Sequence, residues 1–187
     1  MAASTPKTKV ERSARINMPK ARLSYPHLFK PSAFQGEGEP KYSANFFVPK
    51  TDKEFIKNLR GLMDAAVKQL YGDKKPANFE TWGISDGDDA DDEAQKGCWV
   101  LKASNKSKPR VVDGKGADIL DEVEVYGGSY CRASICAKAY GSTNKGGVTL
   151  ELLVVQKVGD GEPFSGAAKA INSAVDELGA YEESEEF

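Results

Sequence analysis

Between Ser129 and Tyr140 the chain alternates two kinds of side chain. A strand sends successive residues to opposite faces, so Ser129, Cys131, Ala133, Ile135, Ala137 and Ala139 share one side while Tyr130, Arg132, Ser134, Cys136, Lys138 and Tyr140 share the other. The first set is small and buriable. The second interleaves aromatic rings with cations. A single nucleic-acid strand offers two handles that do not depend on its sequence, phosphates and base faces, and this ladder holds a partner for each. Stacking is worth about 1–3 kcal/mol per base, and cations displace counterions from the backbone.

The same combination recurs elsewhere. Arg22 to Lys30 (RLSYPHLFK) sets Tyr25, His27 and Phe29 between Arg22 and Lys30, and Lys41 to Lys50 holds Tyr42, Phe46 and Phe47 between two lysines. Alternation groups Tyr42, Phe46 and Val48 with Ala44, and Lys41 with Ser43, Asn45 and Phe47, which marks Phe46 for the core and Lys41 for a ligand. Trp99 precedes Lys102 by three residues, and Lys106, Lys108 and Arg110 follow. The candidate stacking rings are therefore Tyr25, Phe29, Tyr42, Trp99, Tyr130 and Tyr140. The candidate phosphate partners are Arg22, Lys30, Lys41, Lys102, Lys106, Lys108, Arg110, Arg132 and Lys138.

Catalytic constellations fare poorly. His27 is the one histidine and stands in a Tyr-Pro-His-Leu-Phe setting without a neighbouring nucleophile. The acidic run from Asp86 fails as an EF-hand loop, since its sixth position is Asp91 instead of glycine and its twelfth is Gly97 instead of glutamate. No phosphate-binding GxxxxGK[ST] loop occurs, and Cys98, Cys131 and Cys136 lack zinc-site spacing. A protein without catalysis, cofactor or metal is expected, with its cysteines as reduced structural thiols.

The net charge of −2 argues superficially against a polyanionic partner. Charge is segregated, however. Asp86 to Glu93 and Asp176 to Phe187 each hold six acids and no base, out of 28 acids in all; the rest of the chain has 26 bases against 16 acids, a body near +10. The ending GAYEESEEF places Glu182, Glu183, Glu185 and Glu186 before the ring of Phe187. Such a tail imitates phosphates and a base, so it is expected to occupy the basic groove until a nucleic-acid strand displaces it and then to recruit partner proteins. No run approaches the roughly 20 apolar residues of a membrane span, and the first residues lack a secretory segment, so a cytoplasmic protein is expected.

Residues 1–14 read as a flexible basic arm, 15–178 as one domain and 179–187 as the acidic tail. Short strands are expected around Pro19, then a breaker-rich loop from Pro26 to Pro40 and a strand from Lys41 to Val48. Thr51 and Glu54 have capping-box spacing ahead of a helix whose apolar residues recur from Phe55 to Leu70, with Gly72 to end it. Ile84 to Lys96 reads as an acidic surface loop, Cys98 to Ser104 and Arg110 to Val112 as strands. Ser129 to Tyr140 and Val148 to Val158 read as a hairpin joined by GSTNKGG, and Ser165 to Leu178 as a short closing helix. A mainly β domain with helical elaborations follows, a small barrel being its natural form and a sandwich the alternative.

The segments RLSYPHLFKPSAF, EPKYSANFFVPK, CWVLKASNKSKPRVVD and YGGSYCRASICAKAYG, in this order, resemble the small single-stranded-DNA-binding proteins of tailed bacteriophages, over about Arg22 to Phe164. The resemblance implies an OB-fold, a five-stranded Greek-key barrel, here elaborated by one long internal helix. It implies a protein that coats and protects single-stranded DNA in phage replication, recombination and repair, inside the bacterial cytoplasm. It also implies replication or recombination partners for the acidic tail. Two other readings stay open: an assembly module whose basic-aromatic face takes the tail of a neighbouring copy and builds a homo-oligomer, and a single-stranded-RNA binder.

Overall fold

A computed structural model describes residues 9–141 and 145–179. Its elements are β1 (Lys9–Asn17), β2 (Ala21–Phe34), β3 (Glu37–Pro49), α1 (Lys53–Tyr71), β4 (Asn78–Thr81), β5 (Ile84–Asp86), β6 (Cys98–Asn105), β7 (Arg110–Val112), β8 (Tyr130–Gly141), β9 (Lys145–Gly159) and α2 (Gly166–Leu178). Strand pairing runs β2 to β3 to β6 to β9 to β8 and back to β2, which closes a five-stranded ring. All of its contacts are antiparallel except β6 with β9. This is the Greek-key barrel of the OB-fold, with α1 as its one long internal helix.

The alternation read from β8 is what fills the barrel. Cys131, Ala133, Ile135, Ala137 and Ala139 are buried, together with Phe46, Leu23, Leu101, Leu150 and Leu152 from the facing strands. Burial pushes the Cys131 thiol up to about 12 and the Cys136 thiol up to about 11, so both stay protonated at neutral pH. One wall of the barrel is covered by α1, whose Ile56, Leu59, Met63, Ala66 and Val67 form the buried stripe. The helix ends where Gly72, at φ 61°, donates its N–H to the Lys68 carbonyl.

Several boundaries differ from expectation. Asp52 stands at the N-cap, without a side-chain capping bond, which puts Glu54 one position too early to close the box expected with Thr51. The segment expected as a flexible arm to residue 14 is already strand from Lys9, because β1 pairs with β8 along its main chain. The supposed loop from Pro26 to Pro40 is mostly strand: β2 runs through Pro26 and Pro31, and its ladder to β3 shifts register between Ser24 and His27 and again between His27 and Ser32. Prolines, which lack the N–H a ladder needs, are tolerated at such bulges. The supposed acidic loop contains β5 and two short 3-10 turns. Finally, α2 forms where a helix is expected, but its Ile171, Val175 and Leu178 are 64%, 61% and 84% exposed.

Candidate functional site

On the outside of the barrel, β3 and β6 lay down a polar floor. Their register sets Ser43 opposite Ser104 and Asn45 opposite Lys102, with Lys41 and Lys106 continuing the same face past the Tyr42–Asn105 pair. One flank is built by Lys138 and Tyr140 of β8, Thr149 of β9 and Val10 of β1; the other end is closed by Trp82 and Gly83. Together they line an open groove of about 620 Å³.

Residues 78–86 complete it by crossing the seam between β9 and β6. Strand β4 runs parallel to the start of β9, then β5 turns onto β6. At the crossing, Trp82 donates its main-chain N–H to Val148 and Gly83 accepts from Lys102, each at 2.8 Å. Gly83 has φ 102° and lies so close to Leu150 that a Cβ would meet its Cγ at 2.7 Å, so both backbone and space demand glycine there. The Trp82 indole, 55% exposed, donates to Glu80 at 3.1 Å.

The groove holds four lysines in different states. Lys102 makes no ion pair among the described residues. Lys106 pairs with Glu39 at 2.6 Å, and that hydrogen bond, with a smaller contribution from Lys41, holds the Glu39 carboxyl below its ordinary range. Lys138 lies 3.6 Å from Glu151, a buried carboxylate gripped by Arg12 through bonds of 2.6 and 3.0 Å. Burial, and then the charge of Glu80, raises the Tyr140 hydroxyl above its usual value, against a hydrogen bond from the Trp82 indole that lowers it. The arrangement supplies four cations, two partly exposed rings and a floor of hydroxyl and amide groups able to donate or accept.

The structure thus brings Lys41, Lys102, Lys106, Lys138 and Tyr140 into one groove. Other expected residues stand elsewhere. Tyr42 is half-buried on the core side of β3 beside Ala44, as its alternation with Lys41 requires. Trp99 pairs with Val48, packs on the core and lies between Lys50 and Arg60, 5.1 and 5.0 Å from its ring, so it serves the α1 side of the barrel. Tyr130 is at the far end of β8 from Tyr140. There Arg22 lies 4.3 Å from the Phe164 ring and 5.6 Å from that of Tyr130, donates to the Gly128 and Glu162 carbonyls, and so clamps the segment after β9. Arg132 donates to the Met18 carbonyl.

A second grouping flanks β7. Lys108 lies over Phe29 at 5.6 Å, Arg110 pairs with Asp118 at 2.7 Å, and Lys30 with Glu122 at 3.0 Å. Tyr25 is 70% exposed with φ 45°, a left-handed conformation rare for an aromatic residue, at the first bulge of β2. Sequence reasoning missed Trp82, which follows the four-residue β4 in the crossing to β5, too short a stretch for alternation to mark it. Glu182, Glu183, Glu185, Glu186 and Phe187 lie outside the described residues. No helix among the described residues is long and apolar enough to cross a membrane.

Comparison with known proteins places these features in context. Residues 14–187 match the family model described as the ssDNA-binding protein of Enterobacter phage Enc34. A putative protein, p50, of Acyrthosiphon pisum secondary endosymbiont phage 1 is 31% identical over 181 residues, covering 91% of this chain and 97% of that one. Among solved structures, the single-stranded DNA-binding protein from bacteriophage Enc34 in complex with ssDNA is similar at TM-score 0.66 and 27% identity, over 81% of this chain and 89% of the other. The single-stranded DNA-binding protein gp2.5 of bacteriophage T7 shares the fold at TM-score 0.57 and 17% identity, over 81% and 95%.

Proposed function

The chain belongs to the Enc34 ssDNA-binding protein family, and we propose that it binds single-stranded DNA in the groove on its β3–β6 face. The observation that carries this is the convergence of Lys41, Lys102, Lys106 and Lys138 with the rings of Trp82 and Tyr140 in one open channel. Phosphates meet the lysines. Bases stack on the two rings, and Ser43, Asn45, Ser104 and Thr149 offer donors and acceptors that suit any base edge, which favours tolerance of sequence.

Beyond Lys106 the strand continues over Lys108, Phe29 and Arg110, with Lys30 and Tyr25 as outer contacts. Arg22, Tyr130 and Arg132 support the fold of the flanking segments instead. The protein coats and protects single-stranded DNA in phage replication, recombination and repair, within the bacterial cytoplasm. It performs no chemistry on the DNA, and the acidic tail engages replication or recombination proteins.

Fluorescence anisotropy with a labelled oligothymidine tests this. Four neutralised phosphates, at −0.7 each, give a slope of log affinity against log salt of about −3. Tight binding with a flat salt response, or no binding accompanied by oligomers in light scattering, overturns the reading. A matched oligoribonucleotide as competitor separates a DNA preference from single-strand binding of either kind.

A further inference from the structure

Gly147 stands directly opposite Tyr140 in the ladder between β8 and β9. Directly opposed residues share a face, so whatever occupies position 147 lies against the Tyr140 ring. A Cβ there would come within 2.6 Å of the Tyr140 Oη, 2.9 Å of its Cζ and 2.7 Å of the Glu80 carbonyl oxygen. The first two contacts belong to one ring of the groove. The third belongs to β4, two residues before the other ring, Trp82. Because Gly147 has no left-handed φ, its backbone does not require glycine, but the space does.

The backbone beneath Tyr140 is already fixed from the opposite side. Tyr71, at the end of α1, donates its hydroxyl to the Tyr140 carbonyl at 2.6 Å and fits against Gly141 and Gly146. Trp82 is fixed in turn through its N–H to Val148, the residue after Gly147. Both groove rings are therefore hung from consecutive residues of β9. With the main chain held at each, an atom added at 147 is taken up by the Tyr140 ring and by the strand leading to Trp82.

We propose that Gly147 is a positioning residue for base stacking, its bare Cα seating the Tyr140 ring and the β4 strand that leads into Trp82. This rests on the reading of the groove as the site of single-stranded DNA. Gly147 touches no DNA itself; it sets the attitude of the two rings that do.

Four full-length proteins test it by oligothymidine anisotropy across a range of salt: the parent, Gly147→Ala, Tyr140→Ala and the double variant. Gly147→Ala is expected to bind about ten-fold more weakly, the scale of one lost stacking contact. Its salt slope stays that of the parent, since the four lysines are untouched. In the Tyr140→Ala background the same change should cost clearly less, about three-fold, because the ring is gone and only the shift of the strand leading to Trp82 remains. Stoichiometric titration gives the active fraction, so misfolding is read apart from weakened affinity.

Parent-like binding by Gly147→Ala, or an equal loss in both backgrounds, overturns the positioning role while leaving the groove reading intact. Parent-like binding by Tyr140→Ala sinks the stacking role of Tyr140, and the proposal with it. If Gly147→Ala does not fold, the comparison moves to the Tyr140→Phe background, which removes the nearest atom. Binding there at least about three-fold weaker than Tyr140→Phe alone, at unchanged slope, supports the proposal, and equal binding overturns it.

Discussion

An indole left half exposed among lysines forgoes burial that the native state could use, whereas one packed on the core and flanked by cations does not. Trp82 is the first kind and Trp99 the second. The two predict opposite consequences on removal. Trp82→Ala should lower oligonucleotide affinity by about ten-fold, the loss of one base contact, with little change in the urea midpoint. Trp99→Ala should cost about 2–4 kcal/mol of stability, at or below the usual range for a buried aromatic, and leave the affinity of the folded fraction unchanged. The lysines divide similarly. Lys102 has no ion pair to give up among the described residues, while Lys106 must leave Glu39 to meet a phosphate. Lys102→Ala should therefore weaken binding more than Lys106→Ala in parallel anisotropy titrations, and the reverse order would show that the Glu39 pair does not compete.

Among the elements, β1 owes its place to main-chain bonds with β8, to Ile16 on the core, to the Gln69–Glu11 contact with α1 and to a long-range ion pair. Its side chains are mostly exposed, and Arg12 reaches Glu151 across the outer face of β8. That hydrogen bond, reinforced by the charge of Arg12 and of Lys138, depresses the Glu151 carboxyl against the opposing effect of burial. A depressed carboxylate contributes stability that is complete above its unfolded pKa and is lost as pH falls through the lower native one. Arg12→Ala leaves the carboxylate only the longer Lys138 and Cys136 contacts and should cost about 1–3 kcal/mol at neutral pH. The variant should also lose less stability than the parent between neutral and acid pH. Urea melts at several pH values check both; parallel stability curves for the two proteins would refute the coupling.

The same strand shows where the sequence is readable. The faces of β8 are legible because one is uniformly small and the other polar, and α1 is legible because its stripe keeps helical spacing for five turns. Polar β1 has no such contrast, and its partner Glu151 is 139 residues away. β4 and β5 are too short for periodicity and exist by pairing with β9 and β6. The groove is legible only in part for this reason: Lys41, Lys102 and Tyr140 lie on strands that announce their faces, but Trp82 arrives on a crossing that only the closed barrel creates.

Across the whole molecule, the acidic run that begins at Asp86 is set apart from the groove floor at Lys102. Asp86 pairs with Trp99 in the β5–β6 ladder, three residues along β6 from Lys102, a separation of ~10 Å at ~3.3 Å per residue. This is about one Debye length at 0.1 M salt. The acid run is also tied down locally, with Lys50 lying 2.5 Å from both Asp86 and Asp88, and Lys96 donating to the Asp88 and Ala90 carbonyls. It is therefore a poor competitor for the groove. Glu182, Glu183, Glu185 and Glu186 lie outside the described residues, and in sequence they precede the ring of Phe187. If they compete with DNA for the groove lysines, deleting Tyr181 to Phe187 removes a rival ligand and tightens oligothymidine binding. Salt weakens tail and DNA contacts alike, so the gain should be several-fold at low salt and should close as salt rises toward a few Debye-screened tenths molar. Anisotropy titrations of the full-length and truncated proteins, paired at each salt concentration, measure that gap directly. A gap of zero at low salt would leave the tail a solvating or partner-binding segment, and a gap that does not shrink with salt would mean that truncation acts on something other than the shared electrostatics of the groove.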